Sequence, residues 1–120
     1  MTKALTAEAS SNLIVGTSLC GYIRATRAEI EKVFGAPTYG VEHSGDGKVT
    51  TEWVIDFGNE VIATIYDWKR YEEGAPKMDE RIVWNIGGRS HDALIVVGLA
   101  MDTTTFVKYP FDIFGRERNG

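Results

Sequence analysis

From Lys48 to Lys69 the chain alternates apolar and polar positions, KVTTEWVIDFGNEVIATIYDWK, with one break at Gly58-Asn59. Period-two alternation on both sides of a short glycine turn predicts a β-hairpin. In the first arm Val49, Thr51, Trp53, Ile55 and Phe57 share one face, and Lys48, Thr50, Glu52, Val54 and Asp56 share the other. Glycine at the first central position of a two-residue loop fits a type II′ turn. That turn places Phe57 opposite Glu60, Ile55 opposite Ile62, Trp53 opposite Thr64, Thr51 opposite Tyr66 and Val49 opposite Trp68. Trp53, Tyr66 and Trp68 then gather on one face, and Lys48 lies opposite Lys69. Arms of about nine or ten residues would reach roughly 30 Å, longer than most strands. Either the hairpin twists strongly, or one end projects with edges that another chain could cover.

The pattern changes on both sides of this hairpin. Thr26-Arg27-Ala28-Glu29 is a capping box, and Ile30, Val33 and Phe34 follow at helical spacing. Gly35 and Pro37 stop the run, so a short helix is predicted over Arg27–Phe34. Asn12–Val15 is a short apolar run, a strand or a helical turn, and Gly21-Tyr22-Ile23 leads from it to Thr26. Thr38–Gly47 and Arg70–Glu80 read as loops. Arg81–Ile86 alternates again, with Ile82, Trp84 and Ile86 on one face, and predicts a third strand ended by Gly87-Gly88. Ser90 can cap a helix over His91–Met101. That stretch is apolar almost all round, so its helix is either buried or half covered by a partner subunit. Its β-branched run, Ile95-Val96-Val97, leaves a strand as the alternative.

These elements give one α+β domain over residues 1–120. It holds a small antiparallel sheet built on the long hairpin and a third strand, packed by two short helices. Residues 1–11 are small and polar and are expected to fray or to form a short arm. Residues 103–120 carry Phe106, Tyr109, Phe111 and Phe114 and read as an aromatic arm, docked on its own domain or on a neighbour. The long hairpin, the apolar helix and this arm leave surface that predicts a homo-oligomer.

Charge and cysteine usage narrow the function. The net charge of −4 argues against a phosphate-backbone binder, so nucleic acid is an unlikely partner. One cysteine, Cys20, excludes a disulfide within the chain and fits a reducing cytoplasm. The N-terminus lacks the apolar core of a secretory signal. The longest apolar run, Ala93–Met101, is nine residues, too short for a membrane span.

Candidate chemistry is sparse. His43, His91 and Cys20 lack metal-ligand spacing, so no metal or other cofactor is expected. No serine or cysteine nucleophile motif occurs, and catalytic residues are not assigned. Glu52, Asp56 and Asp67 would share the mixed face of the hairpin, where a solvated surface explains them better than acid–base work. Binding is the stronger reading. Trp53, Tyr66, Trp68 and Trp84 are flat rings able to stack on a base. Lys48, Lys69, Arg70 and Arg89 can neutralise phosphates. Backbone amides of Gly87, Gly88 and Arg89, at a helix start, would suit an anion. Together they describe a site for a small anionic aromatic ligand. The plainer reading stands beside it: tryptophans at strand spacing are commonly core, and Gly-Gly before a helix is commonly a tight turn.

The order GYIRATRAEIEKVFGAPTYG, DGKVTTEWVIDFGNEVIATIYDWK, VWNIGGRSHDALIVV resembles a set of small proteins encoded by bacteriophages. Their pattern is a short helix ending in FG-x-P, then Glu-Trp, ATIY-[DN]-W-K and W-x-IGG, and it spans about Gly21 to Val97 here. The aromatic tail departs from it. The set carries no assigned activity, so no residue role is transferred. The resemblance implies a phage origin, the cytoplasm of an infected bacterium and an accessory role. By analogy it suggests a counter-defence protein that sequesters a nucleotide-derived immune signal without chemistry. The alternative is a protein–protein inhibitor or adaptor acting on a host defence or metabolic enzyme.

Overall fold

A computed structural model describes residues 2–10, 16–40 and 47–107. The run Asn12–Val15, His43 and the aromatic tail from residue 108 onward lie outside the described residues. In chain order the elements are α1 (Ala7–Ser10), β1 (Ser18–Thr26), α2 (Arg27–Phe34), β2 (Glu52–Asp56), β3 (Ile62–Tyr66), β4 (Arg81–Gly88), α3 (Asp92–Met101) and β5 (Thr105–Phe106). The fold is α+β, as the sequence predicts. The sheet has five strands in the order β2-β3-β4-β1-β5, with every pair antiparallel.

The predicted helix over Arg27–Phe34 is α2 to the residue. Thr26 Oγ1 accepts the Glu29 N–H at 3.1 Å, and Glu29 accepts the Thr26 N–H at 2.8 Å. That backbone N–H, above all, holds the Glu29 carboxyl below its ordinary pKa. Gly35 closes the helix at φ 84°, which glycine adopts without a steric penalty. The stretch 91–101 is a helix rather than a strand. It begins at Asp92, and Ser90 contributes its carbonyl, to the Ala93 N–H at 3.2 Å, rather than a side-chain cap.

The hairpin differs from expectation by one residue, with large consequences. Its turn is centred on Asn59-Glu60, closed by Val61 N–H to Gly58 C=O at 2.9 Å, with Phe57 N–H reaching Val61 C=O at 2.9 Å. Asn59 and Glu60 have φ of 52° and 65°, the left-handed pair that a type I′ turn needs. The loop therefore holds three residues, and Trp53 lies opposite Ile65, Ile55 opposite Ala63 and Glu52 opposite Tyr66. Because side chains alternate with period two, this slip moves Tyr66 and Trp68 to the face opposite Trp53. The expected gathering of Trp53, Tyr66 and Trp68 is overturned.

The arms are also shorter than expected, at five residues each. Beyond β2 the ladder gives way to a side chain. The buried Asp67 carboxylate accepts the Thr50 N–H at 2.7 Å, the Thr51 N–H at 3.0 Å and the Thr50 hydroxyl. The outer edge of β2 is covered from within the chain. Tyr39 and Glu52 exchange both backbone hydrogen bonds at 3.0 Å, Leu5 N–H donates to Val54 C=O at 2.8 Å, and Thr38 Oγ1 accepts the Val54 N–H.

One sheet face is closed by α2 and α3. Ile23, Ala25, Trp53, Ile55, Ile65, Trp84 and Ile86 pack there against Ile30, Phe34, Ala93, Leu94 and Val97. Trp53 and Trp84 meet edge to face at 5.2 Å. Each satisfies its indole N–H, on Gly35 C=O and Ala25 C=O respectively, both at 2.9 Å. Residues of opposite parity, Tyr22, Arg24, Glu52, Tyr66, Val83 and Asn85, share the other face.

Candidate functional site

The ten residues expected to hold a ligand divide into two groups. Trp53 and Trp84 are fully buried in the core, so neither offers a ring face to a ligand. Gly87 and Gly88 do not open a helix. They lie within β4, Gly87 between Leu19 and Thr64 and Gly88 between Ser18 and Ala63. A Cβ on Gly88 would collide with the Cβ of Ala93, so this glycine serves the close seat of α3 on the sheet. Arg89 is exposed beyond the end of β4.

The other five come together on the open face. Trp68, at 46% exposure, and Lys69 are the exposed members. The ammonium groups of Lys48 and Lys69 sit 6.0 and 5.7 Å from the centre of its ring, within cation–π range. Lys69 N–H donates to Lys48 C=O at 2.7 Å, so the two lysines are held side by side, as the sequence reading expects. Lys69 adopts a left-handed φ of 55°, uncommon for a residue with a Cβ. The Tyr66 ring meets Trp68 edge to face at 6.3 Å. Arg70 follows, with Nε on Gly74 C=O at 3.0 Å and Nη2 on Glu80 at 2.7 Å.

Two adjoining hollows open beside Trp68. One, of about 430 Å³, is lined by Leu19, Tyr22, Tyr66, Trp68 and Asn85. The other, of about 330 Å³, is lined by Arg24, Trp68, Arg70, Arg81, Val83 and Asn85 among others. Trp68 and Asn85 belong to both. The sequence reading missed Tyr22, Arg24, Arg81 and Asn85 as site residues. The first two stand on β1, which it took for a connection. The alternation of Tyr22 and Arg24 with Ile23 and Ala25 was the signal for a strand there.

The carboxyl of Glu52 changes the electrostatics of this face. Burial, reinforced by the negative charge of Asp67, pushes its pKa up to about 7. Its cross-strand neighbour is Tyr66. Burial pushes the Tyr66 phenol up as well, while a hydrogen bond from Asn85 opposes that shift. Below about pH 7 the protonated Glu52 therefore adds no negative charge to this face. The expected carboxylate trio is split, because Asp67 lies on the opposite face, turned into its threonine cap. A larger groove of about 650 Å³ runs between α2 and α3 on the closed side.

No protein-family model, curated protein or solved structure matches the chain. Among the described residues no group of three or more His, Cys, Asp or Glu side chains could hold a metal ion. None of their helices is long and apolar enough to cross a membrane.

Proposed function

We propose that this protein binds and sequesters a nucleotide-derived small molecule on the open face of its sheet, without chemistry. The observation that carries the reading is Trp68. Its ring is half exposed, flanked by two ammonium groups, and forms a wall shared by an aromatic hollow and an arginine hollow. Exposed indole rings are suited to stack on a base, and neighbouring cations suit its phosphate. The resemblance to small phage proteins supports, by analogy, reading the bound molecule as an immune signal of the infected bacterium and the protein as a cytoplasmic counter-defence factor. Native mass spectrometry against a panel of cyclic dinucleotides, nucleoside phosphates and ADP-ribose tests this. Intact ligand recovered after denaturation, and lost in Trp68→Ala, is the expected result. No binding at micromolar concentration removes the reading.

A second reading rests on a separate surface. Ile95 and Leu99 of α3 are 48% and 75% exposed, and Leu99 lines the groove between α2 and α3. Apolar side chains so placed suit a protein contact, whether self-association or inhibition of a host enzyme. Light scattering of wild type and Leu99→Asp addresses self-association: an oligomer converted to a monomer supports it, and a monomeric wild type ends it. Pull-down from host lysate with both forms addresses the inhibitor reading.

A further inference from the structure

The two hollows beside Trp68 differ in kind, and the difference says how a ligand would lie. The larger one is walled by Leu19, Tyr22, Tyr66 and Trp68. Its Tyr66 and Trp68 rings stand at 76° to one another, so a flat ring stacked on one meets the edge of the other, the two arrangements aromatic pairs prefer. The smaller one is cationic. Arg24, Arg70 and Arg81 line it, and among the described residues no carboxylate does, in a chain whose net charge is −4.

Two of the three guanidinium groups of this smaller hollow, those of Arg70 and Arg81, are oriented from outside it. Glu80 and the Gly74 carbonyl hold Arg70, whose side chain is only 14% exposed. Glu29 holds Arg81 at 3.0 Å. Carboxylates at the back of an arginine fix its plane and leave other N–H donors directed elsewhere. Two of Arg70's donors are engaged in this way, out of the five a guanidinium carries. Pre-oriented arginine forks are the side chains best matched to phosphate oxygens.

From this juxtaposition we infer that the hollow of Arg24, Arg70 and Arg81 is a phosphate subsite, joined across Trp68 and Asn85 to a ring subsite of Leu19, Tyr22 and Tyr66. The ligand class is a phosphate ester with a flat heterocycle one sugar away, a nucleoside monophosphate unit. This assignment rests on the proposed function and narrows it. Each hollow falls within or near the size of small-molecule sites, about 300–1,000 Å³. Asn85, shared by both, stands where the sugar would pass.

Calorimetric titration with the common ribonucleoside 5′-monophosphates, their nucleosides and inorganic phosphate tests the assignment. At least one monophosphate is expected to bind roughly tenfold or more tightly than its nucleoside. That advantage should shrink as salt is raised. Arg81→Gln is expected to erase the advantage while leaving nucleoside binding in place. Its side chain is 54% exposed, so the fold tolerates the change. Tyr22→Ala should weaken nucleoside and nucleotide alike. Equal affinity for nucleoside and monophosphate overturns the phosphate subsite, as does an advantage untouched by Arg81→Gln and Arg24→Gln. Binding of cyclic dinucleotides or ADP-ribose without any monophosphate overturns the single-unit assignment and leaves the sequestering reading standing. Silence from every compound in both panels ends both.

Discussion

Trp84 and Trp68 project from opposite faces of one sheet, and the chain treats them in opposite ways. Trp84 is fully buried, packed edge to face on Trp53, with its indole N–H satisfied by Ala25 C=O. Trp68 keeps nearly half its surface in solvent, with two lysine ammonium groups beside its ring. The closed face follows the rule for a core: apolar contacts, with both buried indole N–H groups paired. The open face breaks that rule, with rings and charges left at the surface. The difference separates residues that hold the fold from residues available to a ligand.

Truncation should separate the faces most sharply. Trp84→Ala removes a fully packed ring and its neighbours' contacts, for an expected loss of about 3–5 kcal/mol. Trp68→Ala should cost about 1 kcal/mol or less, chiefly its contacts with the two lysines. Urea unfolding curves for both variants measure this. Comparable losses would mean that Trp68 is a core residue and that the open face has no ligand role.

The two carboxylates that flank the hairpin sharpen the same contrast. Asp67, on the closed side, is a buried acceptor for two backbone amides and a hydroxyl. Asp67→Ala would orphan those donors, for an expected cost of about 3 kcal/mol. Glu52, on the open face, is raised to about 7, and the sign of its effect is opposite to that of most carboxylates. Between its ordinary value of 4.5 and about 7, the unfolded chain gives up the proton and the folded chain keeps it. The unfolded state then binds fewer protons, so stability falls as pH rises through that window. The shift corresponds to a loss on the order of 3 kcal/mol, complete above neutrality. Glu52→Gln should remove this slope. Asp67→Asn should reduce it, because the Asp67 charge is part of what raises Glu52. Unfolding free energies from pH 4 to 8 decide the matter; a slope unchanged in Glu52→Gln would assign it to another group.

Much of the closed face was legible in the sequence, and much of the open face was not. Thr26 and Glu29 form a complete local signal, which is why α2 was placed to the residue. Trp84 and Ile86 alternate cleanly, so β4 was found. The strand before α2 was missed because Thr26 ends β1 and caps α2 at once, leaving no loop to announce a boundary. With β1 unseen, Tyr22 and Arg24 had no face to occupy. The two residues of β5 are too few to show a period. Register was lost for a different reason. Ile62, Ala63, Thr64 and Ile65 are all buried, so β3 presents an apolar surface on both sides and either pairing buries it. Only the turn could decide, and its second central residue, Glu60, carries no sequence signature for its left-handed conformation.

That turn offers the smallest effect and the most direct test of the register. Glu60 is exposed and held at φ 65°, a conformation that glycine adopts without a steric penalty. At the second centre of a type I′ turn, Asn-Gly is the favoured pair. Glu60→Gly should therefore stabilise the protein by roughly 0.5–1 kcal/mol, the relief of left-handed strain less the entropy glycine adds to the unfolded chain. In a two-residue loop over Gly58-Asn59, Glu60 would instead be the first strand residue, and glycine there would destabilise by a similar amount. The sign of one small change in the urea midpoint thus distinguishes the two pairings. Only the three-residue loop puts Trp53 on the closed face and Trp68 on the open one.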